Sequence, residues 1–219
     1  IHVINDDNMS IIEHAKFSKL NYFNNEKFSL TGAINFYNSN VKIYNSIFNE
    51  VYSEDAINFI HTKFIVKNCR FNTVLSDAID SDFSEGKVIK TNFYKIDGDG
   101  IDTSGSNVKI NDVLLDYIGD KGISVGEESL VSISNVEING SNIGIASKDG
   151  SKVMAKNLII KNSTNYDLAS YNKKKIYKGG SLLVEKINTD EKYLSQVKSE
   201  LFIDGKKIPN KKFNSKDLY

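Results

Sequence analysis

Apolar and polar residues alternate in short runs along the whole chain, and one run returns at a nearly fixed interval. Gly32-Ala33-Ile34-Asn35, Asp55-Ala56-Ile57-Asn58, Asp77-Ala78-Ile79-Asp80 and Asp99-Gly100-Ile101-Asp102 are copies of one unit. The unit continues as Lys121-Gly122-Ile123-Ser124, Ile143-Gly144-Ile145-Ala146 and Tyr166-Asp167-Leu168-Ala169. Its central aliphatics, from Ile34 to Leu168, are separated by 23, 22, 22, 22, 22 and 23 positions. A second apolar run follows about ten residues later in each period, as in Val41-Lys42-Ile43, Phe64-Ile65-Val66 and Val108-Lys109-Ile110. A third run ends at Phe48, Phe71, Phe93, Leu114, Ile138 or Ile160. Alternation over three to five residues, rich in Val, Ile and Phe, is the period of a strand, and no 3.6-residue period persists across these repeats.

Three short strands per 22-residue period predict an all-β fold: a single-stranded, right-handed parallel β-helix. A leucine-rich repeat of similar length would need a leucine consensus and a helical segment, and both are missing. Each coil buries its apolar side only by stacking on its neighbours. Asn45, Asn68, Asn111, Asn135 and Asn157 recur between the second and third strands, where a left-handed backbone suits asparagine, so they read as scaffold. Cys69, just after such a bend, reads as a small core filler.

The repeat divides the chain into three parts. Residues 1–31 read as an irregular N-terminal coil or the start of a fragment, since position one is Ile and no secretory leader is visible, with an earlier strand pair over Ser10–Phe17 and a longer connection after it. Residues 32–188 read as the β-helix. Residues 189–219 read as a cap, with a short helix over Asp190–Lys198 and a hairpin through the Asp204-Gly205 turn. An open solenoid end needs such a cover, and its lysines discourage edge-to-edge pairing.

Composition narrows the function classes. The 219 residues carry 28 basic and 28 acidic side chains, which removes the simplest case for nucleic acid or a membrane surface. One cysteine excludes a disulfide framework and a cysteine-based zinc site. No apolar run approaches the roughly 20 residues of a membrane span. The single proline fits a continuous ladder in which each backbone N–H is needed. The neutral total is a sum of unlike parts: residues 76–128 hold 12 acids against 5 lysines, and residues 171–219 hold 12 lysines against 6 acids.

Taking the Ile column as inward places Ser81, Phe83, Thr103, Val125 and Ser147 on the core side. The outward column then holds Asn58, Asp80, Asp102, Ser124 and Ala146, and a parallel one holds Ile60, Asp82, Ser104, Gly126 and Lys148. Asp55, Asp77, Asp99 and Lys121 stand where the chain enters the strand, with Asp97 and Asp120 nearby. Equivalent residues on stacked coils are about 4.8 Å apart, so like charges crowd along one face. Bound cations, ion pairs to Lys121 and Lys148, or a shared proton would relieve the crowding. Asp55 and Asp77 read as turn formers. Asp80, Asp99, Asp102, Asp120, Lys121 and Lys148 are the catalytic candidates. Asn58, Ser104, Ser124, Glu127 and Tyr171 are candidates for substrate contact, with Tyr177 a second aromatic platform. Asp80, Asp82 and Asp102 are candidate ligands for Ca²⁺.

The coil pattern over about residues 32–188 resembles the pectate-lyase-like superfamily of right-handed parallel β-helices. Gly98-Asp99-Gly100-Ile101-Asp102, followed by Gly119-Asp120-Lys121-Gly122-Ile123-Ser124, is similar to the motifs of polygalacturonase-type glycoside hydrolases. That resemblance implies that Asp99 and Asp120 match two of three catalytic carboxylates. Lys121 stands where the family keeps the third acid, and Ser141-Asn142-Ile143-Gly144 stands where it keeps a histidine. The lyase branch implies Ca²⁺ and a basic residue, with Lys121 or Lys148 in reach of the face. Asp120–Glu127 and Gly144–Ser151 are also similar to β-helix modules of bacterial surface proteins. Two functions follow as expectations. One is a carbohydrate-facing β-helix, extracellular or on the cell surface, that binds or modifies a polysaccharide as lyase or glycoside hydrolase. The other is a non-catalytic structural or interaction module of a longer chain that binds Ca²⁺ or docks on a neighbouring domain.

Overall fold

The computed structural model describes residues 1–21 and 30–218. Parallel strands stack into a β-solenoid of about eight coils with a repeat of about 22 residues, and the described residues contain no α-helix. The aliphatic column runs unbroken: Ile34 pairs with Ile57, Ile57 with Ile79, and so on through Ile101, Ile123, Ile145 and Leu168. All seven are fully buried. On the third strand of each coil, Phe17, Phe48, Phe71 and Phe93 stack with centroids 5.2, 4.6 and 5.0 Å apart. Burying each such ring contributes about 1.5–3 kcal/mol, which a coil obtains only beside a neighbour.

Left-handed residues set the bends. Asn45, Asn68, Lys90, Asp112, Asn135 and Asn157 share one bend, all with φ between 49° and 56°. The register places Ile89 opposite Asn111, so Asp112 takes this bend where Asn111 was expected. Asn111 instead accepts the Ser134 hydroxyl at 2.6 Å and donates to Asp112 at 2.8 Å. The bend side chains link successive coils: Asn68 donates to Asn45 at 2.6 Å and Asn157 to Asn135 at 3.0 Å. Cys69 is buried, as befits a core filler.

Both ends extend the ladder. The strand pair expected over Ser10–Phe17 forms, within a coil that begins at His2: His2–Ile4, Ser10–Glu13 and Lys16–Asn21 pair in register with Asn35–Tyr37, Val41–Tyr44 and Ile47–Tyr52. The connection at residues 22–29 lies outside the described residues. At the other end, no helix forms over Asp190–Lys198. Tyr193–Ser195 is a strand pairing with Leu168–Ser170, and the ladder continues past 188 as Glu200–Ile203 on Ser181–Val184. A helix there would leave the backbone groups of the last complete coil without partners. The hairpin forms through Asp204 and Gly205, both at positive φ, with Ile203 opposite Lys206. Pro209 lies beyond it, outside every strand. The chain then folds back, so that Phe213 and Leu218 cover the outward residues Ile143, Ala146, Ala169 and Leu194.

Candidate functional site

The site lies on the first strand of the coils that begin at Asp55, Asp77, Ile101 and Lys121. The register brings Asn58, Asp80, Asp102 and Ser124 into one column, and Asp82, Ser104 and Gly126 into another. The aspartates at the start of the strand are held by backbone. Asp77 Oδ1 accepts the Asp99 N–H at 2.7 Å, and Asp99 Oδ1 accepts the Lys121 N–H at 2.8 Å. Each carboxylate therefore caps the equivalent residue of the next coil, which fixes its place within the stack.

Charge is concentrated where water is scarce. Asp55, Asn58, Asp99, Lys121 and Lys148 are buried, and Asp77, Asp80, Asp82 and Asp102 are half-buried. Asn58 donates to Asp80 at 2.9 Å and to Asp55 at 3.2 Å. Lys121 Nζ lies 3.5 Å from Asp99 Oδ1 and pairs closely with Asp120, while Lys148 Nζ lies 3.9 Å from Asp102. One carboxylate oxygen from each of Asp77, Asp99 and Asp102 lies within 4.8 Å of the others.

The protons follow from this crowding. Burial, reinforced by Asp55, Asp82 and Asp102, holds the Asp80 carboxyl up at about 10. Burial and the Asp99 charge raise Asp77 to about 8. Burial also raises Asp55, Asp82 and Asp99 to about 6; Lys121 opposes the rise at Asp99, and hydrogen bonds from Thr31 and Asn58 oppose it at Asp55. At neutral pH the face thus holds protonated and ionised carboxyls side by side, the condition for acid–base chemistry.

Several expected residues stand elsewhere than their alternation implied. Asn58 and Ser124 project from the sheet yet are buried, and neither Asn58 Oδ1 nor Ser124 Oγ has a hydrogen-bond partner. Tyr171 is fully buried with the C-terminal tail, so it offers no platform to a ligand, and Tyr177 is half-buried. Glu127 leaves the sheet at a left-handed bend and pairs with Lys174. Ser104 remains half-exposed in the column after Asp82. Asp120 sits at the margin, holding Lys121 and accepting from Asn142 at 3.3 Å. Phe83, expected in the core, is 57% exposed, because a left-handed residue at φ 49° ends the strand's alternation. Asp77 was legible only as a turn former. Its stacking on Asp55 and Asp99 in the repeat is the signal that marks it as part of the cluster.

No family model matches the sequence, and no curated protein sequence matches it. Among solved structures, the chain is similar to the catalytic domain of a GH87 alpha-1,3-glucanase in complex with nigerose, at 12% identity and a TM-score of 0.38. The match covers 92% of this chain and 56% of that one, so this chain spans little more than half of its structural neighbour.

Proposed function

We propose that the carboxylate face binds a linear polysaccharide, outside the cell or on its surface, and cleaves glycosidic bonds by acid–base chemistry. One observation carries the reading: Asp80 and Asp77, raised to about 10 and about 8, stand beside Asp99 and Asp102 of the next coil. A protonated Asp80 would donate to the leaving glycosidic oxygen. An ionised Asp99 would draw a proton from the attacking water or stabilise positive charge on the sugar. Lys121 and Lys148, each paired to carboxylates, fit charge neutralisation better than the role of base. The flat repeat of polar columns suits a polymer that crosses several coils. The test is reducing-end release from a panel including α-1,3-glucan, β-1,4-glucan, chitin and polygalacturonate. Wild-type protein is expected to cleave at least one member, and the Asp80→Asn and Asp99→Asn variants to lose that cleavage.

A second reading has its own support. The oxygens of Asp77, Asp99 and Asp102 lie close enough to share a hard cation, and buried Ser124, with its unpartnered hydroxyl, follows Asp102 in the same column. Under this reading the face binds Ca²⁺ in a non-catalytic interaction module. Saturable thermal stabilisation by Ca²⁺, lost in Asp102→Asn and accompanied by no glycan response, would favour it over cleavage.

A further inference from the structure

At the edge of the acidic face the solenoid exposes an aromatic ladder. His61 and Phe83 occupy the same bend on successive coils, where their N–H groups bond the carbonyls of Asp82 and Ser104. Their rings stack with centroids 5.4 Å apart at 20°, and Tyr37 meets His61 edge-on at 6.3 Å. Phe83 is 57% exposed and left-handed at φ 49°. Bulky residues rarely adopt that backbone, and an exposed Phe forgoes the burial that gives the residue its usual value. On the next coil the bend is Gly105 at φ +62°, where an added Cβ would stand 2.6 Å from the Phe83 ring. The glycine leaves room for the ring to extend along the solenoid.

The surroundings describe the ligand. His61, Phe83 and Gly105 line a shallow concavity of about 400 Å³ whose other walls include Lys63, Asn107 and Glu128. An apolar ring with a hydrogen-bonding rim fits a pyranose, which presents C–H groups on one face and hydroxyls around its edge. The apolar area of one exposed ring is far below the roughly 800 Å² per partner of a stable protein interface. Asp82, the residue before Phe83, belongs to the carboxylate face, so a chain held on the ring continues directly onto the acids.

We infer that Phe83, stacked on His61 and given room by Gly105, is a sugar-binding platform that holds one pyranose of a polysaccharide whose next units reach the carboxylate face. The inference rests on the polysaccharide reading above and names a binding residue for it.

The sequence contains no tryptophan, so Phe83→Trp places a single indole on the platform. Titrations use pentasaccharides of α-1,3-glucose, β-1,4-glucose, N-acetylglucosamine and galacturonate. Any of these that wild-type protein binds should shift the Phe83→Trp emission. The same sugar should leave Met154→Trp, exposed on another strand, unchanged. Phe83→Ala should weaken that sugar about tenfold, and Phe83→Tyr should keep most of the affinity. Unchanged affinity in Phe83→Ala, or a silent Phe83→Trp while wild-type protein still binds and cleaves, would overturn the platform and leave the acid–base reading standing. Failure of wild-type protein to bind or cleave any member of the panel would overturn both. A change of oligomeric state in Phe83→Ala, measured by light scattering, would make the ring a self-association contact and overturn the platform alone.

Discussion

The Lys121 ammonium lies 3.5 Å from Oδ1 of Asp99, and the two side chains retain only 2% and 8% of their exposure. A lysine that is buried this deeply needs its partners, and Asp99 and Asp120 supply them. The pair closes the C-terminal end of the carboxylate row. Beyond it the same columns turn aliphatic, at Ile143, Ala146 and Ala169, and disappear under Phe213 and Leu218.

Removing the cation from that pair should be costly. Lys121→Met leaves Asp99 buried without its counter-charge, a loss of about 3 kcal/mol at pH 8. At pH 5 the loss should shrink, because Asp99, raised to about 6 by burial even beside the lysine, is already largely protonated there and needs no counter-charge. The double variant Lys121→Met/Asp99→Asn should recover most of the stability at pH 8. Urea unfolding of the three proteins at both pH values measures this. Equal losses at pH 5 and pH 8 would count against the buried pair.

The carboxylates should make the fold less stable as pH rises. Asp55, Asp77, Asp80, Asp82 and Asp99 are raised above the value of 3.8 that an unfolded chain gives them. Between that value and the folded ones, the native state holds more protons than the unfolded state, so stability falls with increasing pH. The fall should begin near pH 4 and continue past pH 8, where Asp77 and Asp80 still hold protons. Asp80→Asn carries no charge and keeps an acceptor for Asn58, so it should flatten the curve and raise Tm at pH 8 by about 2–6 °C. Thermal melts from pH 4 to 9 supply the curve, and a Tm that rises across this range would refute the assignment.

The bend ladder predicts a graded series. Asn68 combines φ 56° with a 2.6 Å hydrogen bond to Asn45. Asn68→Ala loses the bond and strains the backbone, at about 1–2 kcal/mol, whereas Asn68→Gly loses the bond and relieves the strain. Denaturant midpoints should therefore rank wild type, then Gly, then Ala. Ala ranking above Gly would show that backbone strain does not set this bend.

The tail should protect the last coils. Leu218 is 6% exposed and packs with Leu194, Ala169 and Tyr171. Leu218→Asp sets a carboxylate into that contact and should speed amide exchange in Tyr193–Ser195 and Leu168–Tyr171. Exchange at Ile34 and Ile57 should stay unchanged, since a solenoid transmits stability only through neighbouring coils. Uniform acceleration along the whole chain would contradict that locality.

The architecture was legible because the Ile column is a strict spatial requirement. Every residue from Ile34 to Leu168 must land on its equivalent in the next coil, so the interval survives in the sequence. The carboxylate face was legible for the same reason, since Asp80 and Asp102 follow that column by one position. What escaped had a physical cause in each instance. Two-residue alternation does not carry across a left-handed bend, so the parity that placed Phe83 inside failed at its positive φ. Tyr171 is buried in one cluster with Leu218, far along the chain, and no local pattern reports such packing. The stretch Asp190–Lys198 has helix-forming residues, but the open edge of the preceding coil offered its backbone stronger partners. Asp77 was read as a turn former, and it does hold the Asp99 amide. Its second role, in the cluster with Asp99 and Asp102, arises only from the register of two coils.

In the proposed cleavage, Asp80 holds a proton and delivers it to a glycosidic oxygen. The most direct measurement is the rate of reducing-end release by wild-type protein and by Asp80→Asn, on the polysaccharide that the wild type cleaves, with binding measured alongside. The rate should be at least about 100-fold lower in Asp80→Asn with affinity little changed, as expected for loss of a general acid. Equal rates in the two proteins would contradict it.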